Sequence, residues 1–264
     1  MATISLNTAA TGLSALSQDI DVIANNIANS NTTGYKSLRS NFEDLLYQEK
    51  EQPGVEVASG EQRPTGLYVG LGTRIAGTQL DLTVGSAIQD TNDFSMMIDG
   101  QGFFQVTSGD RILYSRAGNF FPNSNGELTL GNGIGARLEP PIVIPESATG
   151  ITIAPDGTIS ALVDGGTVPE EIGQVQLALF PNSTGIKPVG RNLFEETLAS
   201  GPPIIGTPGE GNFGDIRQKF LEASNVDPVK ELINLIKTQR AFEMNSQVIK
   251  ASDEALQVIA NLSV

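Results

Sequence analysis

Two heptad repeats, one at each end of the chain, limit what it can fold into. Leu6, Leu13, Ile20 and Ile27 stand seven apart, with Ala9, Leu16 and Ile23 offset by three. That is an a/d seam, the pattern of a helix that needs a partner helix. Asn7, Ser14, Gln18, Asp21 and Asn25 fill the opposite face. The run closes in Asn25-Asn26-Ile27-Ala28-Asn29-Ser30-Asn31-Thr32-Thr33-Gly34-Tyr35-Lys36. There Asn, Ser and Thr side chains compete for backbone hydrogen bonds and Gly34 tolerates a left-handed turn, so the helix is expected to stop between Asn29 and Gly34. At the far end, Val226 to Leu262 places Leu235, Phe242, Ile249 and Leu256 seven apart, beside Ala241, Val248, Ala255 and Leu262. Asn225 or Asp227 is placed to cap this helix, with Pro228 in its first turn and Glu231 available to a capping box. A helix with a narrow apolar stripe is marginal alone in water. Two of them predict a parallel or antiparallel pair whose core continues into neighbouring chains; an ordinary intramolecular coiled coil is the alternative.

Between the helices the period changes. Tyr35 to Tyr47 reads as a short extended or helical connector. Gln48 to Thr65 is polar and broken by Pro53, Gly54, Gly60 and Pro64, and Gly66, Gly70 and Gly72 follow. The segment reads as a long loop or a strand-rich excursion, of the kind that is functional or disordered. From Thr73 the alternation is two-fold. Strands are expected at residues 73–83, 94–98, 102–107, 111–116, 127–130, 142–144, 151–153, 158–163 and 173–180. Turn signals separate them at Asp99-Gly100, Gly109-Asp110, Asn125-Gly126, Asp156-Gly157 and Asp164-Gly165-Gly166. Residues 181–215 read as irregular, and the helical pattern resumes from Phe220. The fold class is therefore α+β: elongated, with the terminal helices paired as a coiled-coil-like domain and an all-β middle nested between them. The expected domains are 1–36 with 222–264 (helical), 37–92 with 192–221 (connecting β, carrying the insert 48–72), and 93–191 (outer β).

The chain has no Cys and no His, which removes thiol chemistry, His-based triads and His or Cys metal sites. Its net charge of −14 is concentrated in residues 51–214, where 18 acids face seven bases. Such a chain does not suit nucleic acid or an anionic membrane. No apolar run approaches a membrane span, and the N-terminus lacks the charged and apolar regions of a cleaved signal. The acid pairs Asp19/Asp21, Glu43/Asp44 and Glu170/Glu171 have no cleft or basic partner in the sequence and read as solvated surface. Gly131-Asn132-Gly133-Ile134-Gly135 lacks the strand-before, helix-after context of a phosphate loop and reads as a hairpin turn. Asp90-Thr91-Asn92-Asp93 and Asn123-Ser124-Asn125-Gly126-Glu127 offer oxygen ligands but complete no calcium loop, and read as turns. Phe103-Phe104 and Phe120-Phe121 are expected in the β core on one face. No metal, cofactor or catalytic residue is expected.

The motif Asn25 to Lys36, with Asn26, Asn29, Asn31, Thr32, Gly34 and Tyr35, resembles the N-terminal signature of the rod-and-hook family of bacterial flagellar axial proteins. Met97-Ile98-Asp99-Gly100-Gln101-Gly102-Phe103-Phe104-Gln105-Val106 and Tyr114-Ser115-Arg116-Ala117-Gly118-Asn119-Phe120 resemble its central motifs. Leu221-Glu222-Ala223-Ser224-Asn225-Val226 and Gln239-Arg240-Ala241-Phe242-Glu243-Met244-Asn245-Ser246 resemble its C-terminal signature. The likeness covers essentially the whole chain. Asp44-Leu45-Leu46-Tyr47-Gln48, Pro53-Gly54 and Pro64-Thr65-Gly66-Leu67-Tyr68-Val69-Gly70-Leu71-Gly72 resemble the insert of distal-rod members, with proximal-rod and hook members as alternatives. The resemblance implies a structural subunit, exported without a cleaved signal, that builds a hollow helical shaft across the periplasm. Its implied partners are further copies of itself, proximal rod proteins, the hook protein, the P and L ring proteins and the flagellar type III export apparatus. The seam residues Leu6, Leu13, Leu16, Ile20, Ile23, Ile27, Leu235, Phe242, Val248, Ile249 and Leu256 would then make subunit contacts. The insert, through Tyr47, Pro53, Gly54, Pro64, Gly66, Leu67, Gly70 and Gly72, would stiffen the shaft. A wall-digesting hydrolase is the competing class; it would need a positioned carboxylate pair, and no constellation supplies one.

Overall fold

The computed structural model describes residues 2–54, 65–163 and 168–262. They form two compact units, one drawn from Met1–Ala28, Leu38–Gln79 and Asp227–Val264, the other from Asn29–Ser37 and Leu80–Val226. The class is α+β, with a helix at each end and β structure between. No described helix is long and apolar enough to cross a membrane. Pro64 and the turn Asp164-Gly165-Gly166 lie outside the described residues.

In the first unit, α1 (Ala2–Ala28) and α2 (Pro228–Leu262) run antiparallel, with Ser5 beside Ser252 and Asp19 beside Thr238. α1 stops where expected, at the start of the Asn/Ser/Thr run. α2 begins later than the sequence suggests: residues 220–222 are a strand, and the helix waits for Asp227 and Pro228. Asp227 Oδ1 accepts from the Val229 and Lys230 amides at 3.0 and 3.3 Å, and Pro228 takes the first helical position, where its missing N–H costs nothing. The expected capping box is not formed. Glu231 lies one position too far along the helix, and its carboxyl accepts from Asn26 instead.

The connector after Lys36 is a strand, β1 (Leu38–Asp44), paired with β4 (Thr73–Leu80). Between them β2 (Tyr47–Glu51) and β3 (Leu67–Gly70) pair antiparallel. The four strands make one two-stranded ribbon, continued through its middle by Leu45 N–H to Gly72 O (2.9 Å) and Leu71 N–H to Leu46 O (3.1 Å). The excursion at 48–65 is thus rooted in paired strands.

The second unit contains β5 (Ala87–Gln89), β6 (Met96–Asp99), β7 (Phe103–Ser108), β8 (Arg111–Ser115), β9 (Phe120–Pro122), β10 (Leu128–Leu130), β11 (Arg137–Glu139), β12 (Thr149–Ile153), β13 (Thr158–Leu162) and β14 (Glu170–Gln174). It continues with β15 (Leu177–Leu179), β16 (Lys187–Gly190), β17 (Leu193–Glu195), β18 (Ile204–Gly206), β19 (Asp215–Gln218) and β20 (Phe220–Glu222). The largest sheet runs β16-β17-β8-β7-β11-β10-β9, with β15 also on β7 and β18 on β15. The segment 181–215, expected to be irregular, supplies two strands to that sheet's edge and one to its branch. The expected strand 173–180 is split between two sheets, and 142–144 makes only one isolated bridge, through Val143.

Alternation along β7 explains a further correction. Phe104 enters the main core with Met96, Ile98, Phe120, Leu138 and Leu177. Phe103 points to the other face and packs edge-on against Phe180 and Phe194, at centroid distances of 5.9 and 5.7 Å. Phe120 is fully buried while Phe121 is 49% exposed. The two pairs do not share one face, because adjacent residues in a strand point to opposite sides. Polar turn residues behave as expected: Asn123 Oδ1 accepts from the Asn125 and Glu127 amides, and Asn132 Oδ1 from those of Ile134 and Gly135.

Gly118 is where the backbones approach most closely, since a Cβ there would sit 1.6 Å from Met96 O. Gly118→Ala is expected to cost about 3 kcal/mol or more in urea unfolding, by forced backbone displacement. Gly133→Ala, with open space around it, should stay within about 0.5 kcal/mol.

Candidate functional site

Four sequence motifs meet around one carboxylate. Glu222, on β20, is 1% exposed. Its Oε1 accepts from Lys36 Nζ at 2.5 Å and from the Gly85 amide at 2.9 Å; its Oε2 lies 3.6 Å from Arg116 Nη1. Arg116 also donates to Gly100 O (2.6 Å) and Ile98 O (3.4 Å), which ties in the motif at 97–106. Lys36 donates to Thr83 O at 2.7 Å. The Glu222 carbonyl accepts from the Gly34 amide at 2.8 Å. Gly34 has φ +69°, and a Cβ there would lie 2.5 Å from the Ala117 nitrogen. Gly is required twice over, by the left-handed backbone and by the contact. Asn225 Oδ1 accepts from the Ser37 amide, and its Nδ2 donates to Asp81 O. Asn192 donates to Thr33 O at 3.1 Å.

The electrostatics are those of a clamp. Two buried cations share one buried anion, so burial pulls the Lys36 ammonium below its ordinary value; Glu222 opposes that shift and Arg116 adds to it. The cluster ties together segments that are far apart in the chain.

The remaining motif residues have structural duties too. Asn26, 2% exposed, bridges α1 to β1 by donating to Leu38 O (2.8 Å) and accepting from Leu38 N–H (3.0 Å). Asn29 and Thr32 close the turn, with Thr32 N–H to Asn29 O at 3.1 Å and Tyr35 N–H to Thr32 O at 3.2 Å. Asn31 is exposed and Tyr35 half-buried.

In the insert, Gly72 (φ +119°) is pressed on α1; a Cβ there would overlap the Thr11 hydroxyl at 2.0 Å. Gly66 is crowded by Glu51 O, while Gly54 at the far end is open. Gly70 lies beside the Tyr47 ring. Phe42, Leu46, Tyr47, Leu67 and Tyr68 are all exposed along the ribbon. Pro53 is exposed as well.

The seam residues are only partly used within the chain. Ile23 is buried, but Leu6, Leu13, Leu16, Ile20 and Ile27 remain half-buried. On α2, Leu235, Ile249 and Leu256 are half-buried, and Phe242 and Val248 are exposed. Apart from Ile23, the residues buried or paired along the contact line are small or polar: Ser5, Ala9, Gly12, Ala15, Asp19 and Asn26 on α1, facing Glu231, Thr238, Asn245 and Ser252 on α2. Apart from Ala9 in the seam and Glu231 at the cap, sequence reasoning passed over them because it followed apolar residues. Ser5, Gly12, Asp19 and Asn26 are also seven apart, and that polar heptad was the available signal. An open groove of about 800 Å³ lies beside the pair, with Ile4, Thr8, Val69, Gly70, Val248 and Ala255 in its lining.

Removing Glu222 should be worse than removing Lys36. Glu222→Gln leaves two buried like charges and is expected to lose about 3–5 kcal/mol in chemical denaturation. Lys36→Met leaves the Arg116–Glu222 pair and should lose less. A second expectation concerns Glu231. Burial pushes its carboxyl above the ordinary 4.5, against the hydrogen bond from Asn26, with Asp19 and Asp227 adding to the rise. A raised folded-state value means the folded chain binds the proton first, so stability is gained as pH falls through the window just above 4.5. The difference in unfolding free energy between the parent and Glu231→Gln should therefore move in the parent's favour as pH drops from neutral towards 4.5; a flat difference would contradict this.

Comparison with known proteins places these features. The family described as flagella basal body rod protein matches residues 6–36, the flagellar hook protein FlgE/F/G D1 domain matches 97–161, and the flagellar basal body rod FlgEFG protein C-terminal matches 217–262. The flagellar basal-body rod protein FlgG of Agrobacterium fabrum is 42% identical over 254 residues, covering 96% of either chain. That of Caulobacter vibrioides is 42% identical over 260 residues, covering 97% of this chain and 98% of its own. That of Bacillus subtilis is 36% identical over 269 residues, covering 98% of both.

Proposed function

Because the chain belongs to the family of flagellar basal-body rod proteins FlgG, we propose that it is the structural subunit of the distal rod, a hollow helical shaft that carries torque from motor to hook and conducts exported subunits. The observation that carries this reading is the end-to-end match to relatives of that name. The role asks for contacts, and it needs no catalytic group. Copies of the chain polymerise through the terminal seams, with Leu6, Leu13, Leu16, Ile20, Ile23 and Ile27 of one subunit and Leu235, Phe242, Val248, Ile249 and Leu256 of others closing the channel wall. The incomplete burial of all but Ile23 within the chain supports this, since a stripe of this kind gains stability only when covered. Proximal rod proteins and the hook protein adjoin the stack, the P and L ring proteins surround it in the periplasm, and the flagellar export apparatus delivers the chain without a cleaved signal.

The ribbon β2–β3 and the segment beyond it stiffen the shaft by bridging neighbouring subunits. Its solvent-facing Phe42, Leu46, Tyr47, Leu67 and Tyr68 are the apolar contact area such a bridge needs. In the chain's own host with its gene deleted, the full-length chain should restore basal bodies bearing hooks. A variant lacking residues 48–65 should give rods that bend in electron micrographs. Straight rods from that variant would remove the stiffening role. Failure of the full-length chain to appear in purified basal bodies would overturn the rod assignment itself.

A further inference from the structure

The contact line between α1 and α2 repeats a polar rung every seven residues. Ser5 Oγ lies 3.4 Å from Ser252 Oγ. A Cβ on Gly12 would lie 3.2 Å from Asn245 Nδ2. Asp19 Oδ2 accepts from Thr238 Oγ1 at 3.1 Å. Glu231 accepts from Asn26, whose amide is already shared with Leu38. Each rung is seven further along α1 and seven further back along α2.

The apolar heptads cannot choose an alignment, because a slip of one heptad puts Leu or Ile opposite Leu, Ile or Phe again. The rungs can. A slip in one direction sets Ser5 against Asn245, Gly12 against Thr238 and Asp19 against Glu231, so two carboxylates face each other on the least exposed line of the pair. The opposite slip sets Gly12 against Ser252, Asp19 against Asn245 and Asn26 against Thr238, and leaves Glu231 and Ser5 without their rung partners. Polar groups on a helix seam cost stability and fix register.

We propose that this ladder is a register key. It selects one antiparallel alignment of α1 and α2, and it sets the rotation of α1 so that Leu6, Leu13, Ile20 and Ile27, each one residue past a rung, turn off the contact line. The inference goes beyond the rod assignment and holds for a single chain whether or not it polymerises.

The chain contains no Cys, so engineered pairs report alignment without interference. Three full-length variants are oxidised as dilute monomers: S5C/S252C for the native register, S5C/N245C and G12C/S252C for the two slips. The native pair should cross-link at least about tenfold faster than either slipped pair. Adding Asp19→Asn and Glu231→Gln, which keep shape and remove both charges, should speed S5C/N245C several-fold and leave G12C/S252C unchanged, because only the first slip opposes the two acids. Comparable rates for all three parent pairs would overturn the proposal. So would a rate for S5C/N245C that the two neutralising changes do not move. Both changes are isosteric, and far-UV circular dichroism confirms that the helices persist in each variant.

Discussion

An α-helix with a narrow apolar stripe has to cover that stripe to persist in water, and here the two terminal helices cover each other's stripes only in part. They meet through Ala9, Gly12, Ala15 and Ile23, and through polar residues, while most of the leucine and isoleucine heptad stays half-buried. A pair built that way gives up much of the burial that its sequence could provide. At about 25 cal/mol per Å², each Leu or Ile left half-covered forgoes on the order of 1 kcal/mol. Four or five such residues on α1 alone amount to a sizeable fraction of a domain's net stability. The arrangement makes physical sense for a chain whose helices are completed by other chains, as expected of a rod subunit.

The β-rich unit follows a different logic. It has its own hydrophobic core, and a buried carboxylate, Glu222, collects Lys36, Arg116 and the Gly85 amide. A buried ion cluster of this kind adds little net stability compared with apolar packing, but it is intolerant of partial loss. It therefore specifies which segments may come together. Gly34, Arg116–Ala117 and residues 222–225 come from stretches far apart in the chain, and each carries one indispensable piece of the junction. Four of the sequence motifs converge here because one cluster needs all of them.

Much of this was legible beforehand. The apolar period of 3.5 gave both helices, and the Asn/Ser/Thr run gave the end of α1 because side-chain competition for backbone hydrogen bonds is local. The turns at Asn123 and Asn132 were legible for the same reason. Long-range pairing was not. The strands at 193–195 and 204–206 lie among Gly and Pro and are held by β8 and β15, and 187–190 is held in turn by 193–195, which no local pattern reveals. Residues 220–222 continue an apolar run that suits a helix, yet β5 claims them as a strand. The phase of the helix contact was legible only in part: Ala9 and Ile23 of the apolar seam are buried, but beside Leu6, Leu13, Ile20 and Ile27 the contact falls one residue away, on Ser5, Gly12, Asp19 and Asn26. The salt cluster could not be seen at all, since nothing in the chain order links Lys36, Arg116 and Glu222.

Terminal helices left incomplete in the single chain would be completed by neighbouring copies. Hydrogen exchange, resolved along the chain, on the purified monomer and on assembled rods tests this most directly. Residues 2–28 and 228–262 should exchange markedly faster in the monomer than in the assembly, with little change around Glu222, Lys36 and Arg116. Full protection of both helices in the monomer would contradict it, because the pair would then be a self-sufficient coiled coil with nothing left for a neighbour to supply.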